Sequence, residues 1–198
     1  MPTPVTDDGD AMQVTGTFPG VGAAPLSSKI VVGFADNDEV TRIEFSTERS
    51  SPPRQATELS PELRSVINNA LANGTPMIVG YVDDEGRPRL SPRGSVQCLT
   101  GTQLCIWARP TSKGLTASLP YRPAMSLLYR DSRTRTTLTI SGTGRIVTDE
   151  DTREAVFWLS PEVEQNHDPS REGTAVVIDI DEVTGSSPAG PVLVRPSR

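Results

Sequence analysis

Histidine occurs once, at His167, and cysteine twice, at Cys98 and Cys105. A single histidine excludes a multi-histidine metal centre. Two cysteines are too few for a disulfide framework. Both lie in strand-like apolar runs, 96–99 and 104–107, and read as buried free thiols. Positive charge is also scarce, with 19 Lys and Arg against 25 Asp and Glu and a net charge of −6. That balance argues against non-specific nucleic-acid binding, which depends on neutralising phosphates, and against anionic membrane surfaces. No apolar run approaches the ~18 residues of a membrane span. The N-terminal residues lack a basic region followed by an apolar stretch, so no secretion signal is expected. The expectation is a soluble, cytoplasmic protein. Motifs of self-sufficient catalysis are missing too: there is no G-x-S-x-G elbow, no H-E-x-x-H and no Walker A loop.

Proline (18) and glycine (16) are plentiful, while hydrophobic residues make up only 35 % of the 198 positions. One domain with an extension is expected. Residues 1–28, rich in Pro, Thr, Gly and Asp, read as mostly poorly ordered, with MQVTGTF (12–18) able to pair as a strand. KIVVGF (29–34) and VTRIEFS (40–46) alternate around an Asp/Asn turn and read as a β-hairpin. The stretch 46–58 has linker composition, which puts a boundary at about residue 56. The reading is an N-terminal extension over 1–56 and a main domain over 57–198.

The main domain opens with Ser60-Pro61, a cap followed by a first-turn proline. Leu63, Val66, Ile67, Ala70 and Leu71 then recur at helical spacing, and Asn73-Gly74 ends the helix. Strands are expected over 77–82, over 87–99 with a bend at Pro92 and Gly94, and over 102–109. A short helix follows over 112–119, then strands over 123–130 and 136–147, with Gly142 and Gly144 marking a bulge or close approach. Thr148 and Asp151 have capping-box spacing for a further helix. A loop over 160–173, a final strand over 174–183 and a loop-like, Pro-rich tail from Thr184 follow. Hairpin turns dominate the strand connections. The fold class read from this order is mainly β: an antiparallel barrel with flanking helices.

Two stretches carry chemistry. RPTSKG (109–114) stands where a strand hands over to a helix. Thr111, Ser112 and Lys113 form either a solvated turn with a helix cap or a phosphate cradle. RPRLSPRGS (87–95) places Arg87, Arg89, Arg93, Ser91 and Ser95 on one face by strand parity. That face is either a solvated edge or a basic strand turned to a phosphate or an electron-rich ring.

Taken together, the layout from Ser60 to about Val183 resembles the FMN-binding split barrels related to pyridoxamine 5′-phosphate oxidase. The resemblance rests on DDEGRPRLSPRGSV, LCIWARPTSKG, LPYRPAMSLLYRD and LTISGTGRIVTDEDTREAVFWLSPE in that order. It implies a split β-barrel, an FMN site at a homodimer interface and a flavin-dependent oxidoreductase. Lys113 with Ser112 or Thr111 would hold the flavin phosphate. Arg93, Gly94 and Ser95 would lie along the isoalloxazine, and Trp107 would either face the ring or stand in the core. Tyr129, Arg130, Arg145 and Trp158 would be contributed by the partner subunit. The Arg-x-His segment of the pyridoxamine phosphate oxidases is missing from the tail TGSSPAGPVLVRPSR, which speaks against vitamin B6 oxidation. Haem-binding relatives use an axial histidine, whereas His167, between Asn166 and Asp168, reads as a surface loop residue. Three rival readings stand beside the first. F420 could replace FMN in a groove made basic by Arg87, Arg89, Arg93 and Lys113. The barrel could carry or sense flavin without turnover. It could also be an empty dimeric partner protein.

Overall fold

The computed structural model describes residues 3–7, 11–18, 26–34, 40–49 and 55–197. The chain divides into two units, Met1–Pro53 and Arg54–Arg198. In the first, β1 (Thr3–Asp7), β2 (Ala11–Phe18), β3 (Leu26–Phe34) and β4 (Val40–Arg49) form an antiparallel sheet in sequence order. The expected β3–β4 hairpin is in place, with Ile30 opposite Phe45; its turn, 35–39, lies outside the described residues. Two expectations need correcting. Residues 3–7 and 26–28 are strand rather than poorly ordered chain, whereas 11–18 is the strand that the sequence allowed for 12–18. The linker expected from residue 46 is strand as far as Arg49, because β3 continues opposite it to Leu26, the partner of Arg49.

The second unit opens with α1 (Pro61–Asn68), capped as expected: the Ser60 hydroxyl accepts from the Leu63 N–H at 3.3 Å. Ser60→Ala should therefore cost about 1 kcal/mol in urea unfolding; a loss below about 0.3 kcal/mol would show that the cap is idle. A hairpin follows, β5 (Met77–Val82) and β6 (Pro88–Arg93), then β7 (Gln97–Cys98) and β8 (Gln103–Ala108). The short α2 (Lys113–Ser118) leads to β9 (Ala124–Asp131) and β10 (Thr136–Ile146). Next come α3 (Glu150–Leu159), α4 (Glu162–Asn166), β11 (Thr174–Ser187) and β12 (Gly190–Val194).

The sheet order is β6-β5-β9-β10-β11-β8-β7, with β12 on β11, and all these pairings are antiparallel. Strands β6 and β7 stand at opposite ends of that order, yet only residues 94–96 separate them in the chain. The sheet must therefore curl until its ends meet. This is the antiparallel split barrel expected from the sequence. Strand β9 alternates strictly between exposed and buried residues, as a wall with one solvated face does. Strand β8 is buried on both faces. Its Leu104 and Ile106 join the larger core with Leu138, Ile140, Val176 and Ile178. Its Cys105 and Trp107 join a smaller core with Val156, Phe157 and Val177.

That division explains the thiols. Cys98 stands opposite Leu104 and belongs to the larger core, whereas Cys105 stands opposite Gln97 and belongs to the smaller one. Both are free, and burial pushes each thiol up to about 12.

Three further boundaries differ from expectation. The cap of α3 is Asp149, whose carboxylate accepts from the Thr152 N–H at 2.9 Å, one residue beyond Thr148. Aspartate is the better acceptor for an exposed helix N-terminus and also meets its dipole. The expected loop 160–173 contains α4. The tail is no loop: β11 runs on to Ser187 and turns into β12, where Pro191 is tolerated on an edge strand. Among the described residues, no helix is long and apolar enough to cross a membrane.

Candidate anion-binding site

Curling the sheet brings the end of β6 beside the turn that follows β8. Arg93, the last residue of β6, donates from Nη1 to the Ser112 Oγ at 2.5 Å. The two residues lie nineteen positions apart. Ser112 occupies the N-cap position of α2, yet its hydroxyl makes no capping bond. The choice left open by RPTSKG thus falls on neither bare alternative: the serine is spent on a guanidinium rather than on the helix. The α2 helix is only six residues long, so side-chain charge, not a helix dipole, supplies the attraction for an anion.

Arg93 is half-buried. Burial draws its guanidinium down from the ordinary value and the nearby Arg109 adds to this, while Tyr81 and Glu164 oppose it. An arginine does not give up its proton at ordinary pH, so Arg93 keeps its charge in a half-buried place, with Glu164 as a nearby carboxylate. Its Nε is buried without a hydrogen-bond partner, and so is the Ser91 Oγ two residues earlier on the same face of β6. These are the two such side-chain atoms among the described residues. Orphaned donors on neighbouring side chains are what an anionic ligand would satisfy.

Two glycines let other groups come close. A Cβ on Gly94 would collide with the Glu164 Oε1 and lie 2.9 Å from the Leu71 Cδ2. A Cβ on Gly114 would lie 2.9 Å from the Tyr81 hydroxyl. Tyr81 projects from β5, packed against the larger core, to the start of α2. Arg109, 41 % exposed, places Nε 3.9 Å from the Glu164 Oε2.

The predicted site residues are thus partly assembled. Arg93, Gly94 and Ser112 come together, with Thr111 and Lys113 exposed beside them. Ser95 is buried and donates its hydroxyl to the Trp107 carbonyl at 2.9 Å. Trp107 is 2 % exposed and packs edge-on against Phe157, with Arg153 over its ring and its indole N–H given to Asp168 at 2.9 Å. It stands in the core, the second of the two positions left open for it.

The basic strand needs a correction. Arg87 and Arg89 turn to the buried Asp83 and put Nε 3.2 and 2.7 Å from its Oδ2. The Asp83 Oδ1 closes the β5–β6 turn by accepting from the Glu85 and Arg87 N–H groups. These bonds, the backbone one from Arg87 foremost, hold the Asp83 carboxyl well below the usual carboxylate range, against the effect of burial. Of the three arginines only Arg93 reaches the site, because an Asx turn claims the other two.

Among the residues assigned to a partner subunit, Tyr129 is buried, with the Thr75 hydroxyl donating to its oxygen at 3.4 Å. Arg130 is exposed, Arg145 pairs with Asp179 at 3.6 Å, and Trp158 is exposed beside Arg171. His167 is exposed at the end of α4. Sequence reasoning missed Tyr81, Arg109 and Glu164. Arg109 opens the same RPTSKG run and could have been read as a second guanidinium. Nothing in the sequence near Glu164 points to β6.

No family model matches the chain, and no curated protein does. Solved structures do match. HupZ of Group A Streptococcus is 14 % identical, with a TM-score of 0.51 over 68 % of this chain and 98 % of that one. A protein from Clostridium acetobutylicum, related to general stress protein 26 of B. subtilis and of the pyridoxinephosphate oxidase family, is 15 % identical. Its TM-score is 0.50 over 69 % of this chain and 96 % of that one. At such identities the likeness is one of fold. It is the split barrel to which the sequence pointed, and the match spans nearly all of each relative.

Proposed function

We propose that the barrel binds FMN through its phosphate and serves as a flavin-dependent oxidoreductase. One observation carries this reading: the half-buried Arg93 guanidinium meets Ser112 across the closure of the barrel while its Nε and the Ser91 hydroxyl have no partner. A phosphate monoester fits that set, since it offers several acceptors and up to two negative charges to a guanidinium. Arg93 and Ser112 would hold it, with Lys113 and Thr111 adding a flexible charge and a hydroxyl from the solvent side. The backbone of Gly94 and Ser95 would border the ring. The resemblance to the pyridoxamine 5′-phosphate oxidase-like barrels supports the same ligand and a homodimer with a flavin between its subunits.

When bound, a flavin supplies the hydride and electron chemistry. This chain's residues then bind and orient it, which accords with the lack of an acid–base constellation in the sequence. The reading is tested by titrating FMN and riboflavin into the purified protein. FMN is expected to bind and riboflavin to bind much more weakly, because it lacks the phosphate. Lys113→Ala should weaken FMN by about tenfold, the worth of one exposed charge-assisted contact. Equal affinity for FMN and riboflavin would sink the phosphate reading.

A further inference from the structure

The site contains one group that an anion-binding pocket should avoid. Glu164 puts one carboxylate oxygen against the backbone of Gly94 and the other 3.9 Å from the Arg109 guanidinium. Its side chain is only 14 % exposed. A carboxylate so enclosed persists only where positive charge compensates it, and here that charge comes from Arg109 and the adjoining Arg93.

Its position is built. Asp168, two residues past the end of α4, accepts from the Trp107 indole, the Gly173 N–H and the Glu172 N–H. Ahead of Asp168, Gln165 donates its side-chain amide to the Ser160 carbonyl at 2.7 Å. The C-terminal end of α4 is thus tied to Trp107 of the smaller core and to the turn that precedes the helix, and this segment carries Glu164 to the arginines.

We propose that Glu164 is an internal counter-ion of the Arg93–Arg109 pair that competes with the phosphate of an incoming ligand and thereby sets the selectivity of the site. This rests on the reading of Arg93 and Ser112 as a phosphate site. The carboxylate neutralises one of the pair's two positive charges. A small free anion must overcome that repulsion with charge alone. A phosphate monoester on a large planar body has further binding energy and can enter. The site therefore rejects inorganic phosphate and accepts the ester.

The test titrates FMN, riboflavin and inorganic phosphate into the full chain and its Glu164→Gln, Glu164→Ala and Arg93→Ala variants, read by flavin fluorescence and by phosphate competition. Both Glu164 variants are expected to bind FMN about tenfold tighter, as removal of one nearby negative charge predicts. Riboflavin affinity should not change, and inorganic phosphate should become an effective competitor. If neither Glu164 variant tightens FMN while Arg93→Ala still weakens it, the counter-ion is wrong and the phosphate reading stands. A gain in only one of the two variants would trace to packing and would also overturn it. If Arg93→Ala binds FMN as the parent does, the phosphate reading falls and this inference with it.

Discussion

Arg93→Ala is expected to weaken FMN binding by about 100-fold, the upper end of what hydrogen bonds to a charged group contribute, while leaving riboflavin affinity unchanged. In the protein alone, Arg93 gives one bond to Ser112, keeps an orphaned Nε, and is pushed by burial and by Arg109 against its charged form. A phosphate at the guanidinium would supply opposite charge, and the buried Nε would be reached once the side chain turns outward. Alanine removes the charge, the fork of donors and the partner of Ser112 together. Folding should suffer modestly, because Arg109 stays to compensate Glu164 and the Ser112 hydroxyl can turn to water. Arg93→Lys should recover only part of the loss, since an ammonium cannot reproduce the planar fork. Calorimetry of FMN binding, set beside thermal unfolding of each variant, separates the two effects. An Arg93→Ala protein that binds FMN within about twofold of the parent would refute the site.

The largest stability loss is expected at Asp168. Its side chain is 5 % exposed and takes three N–H donors, from Trp107, Gly173 and Glu172. Asp168→Ala strands the buried Trp107 and Gly173 donors and should cost about 3 kcal/mol or more in urea unfolding. The exposed Trp158 complicates the fluorescence, so the near-ultraviolet dichroism of Trp107 is the cleaner probe. A loss under about 1 kcal/mol would mean that water replaces the carboxylate.

Acid should act on the same group. Burial raises the Asp168 carboxyl, but the Trp107 indole and the two backbone N–H groups outweigh it and hold the group below the usual carboxylate range. The stability that it contributes is therefore full above the unfolded value of about 3.9 and is lost as pH falls through the lower folded value. The gap in stability between the parent and Asp168→Asn should narrow below about pH 4. A gap that stays constant to lower pH would show that the charge is not what matters.

Much of this protein was legible along the chain because its signals are local. Ser60 and Pro61 start a helix by completing its first turn, whatever lies beyond. The alternation of 123–130 and 136–147 needs only a sheet with one buried face. RPTSKG fixed a turn rich in donors after a buried strand. The scarcity of histidine and cysteine and the lack of a basic surplus excluded several kinds of chemistry without any structure. Where local reading failed, it failed at boundaries decided by neighbours. β12 forms because β11 offers it an edge, and α4 is held in place through Asp168 and the Trp107 indole.

The site itself was a tertiary decision. Strand parity put Arg87, Arg89 and Arg93 on one face but could not say which of them a carboxylate would claim. Asp83 took two, because its turn places it within reach of both. Arg93 met Ser112 only because a sheet whose end strands are three residues apart has to close on itself. Helix α3 covered Trp107 through Phe157, and α4 carried Glu164, from a segment with no sequence signal, to the backbone of Gly94. Composition and periodicity fixed what each stretch could become; the curl of the sheet determined which charges face one another.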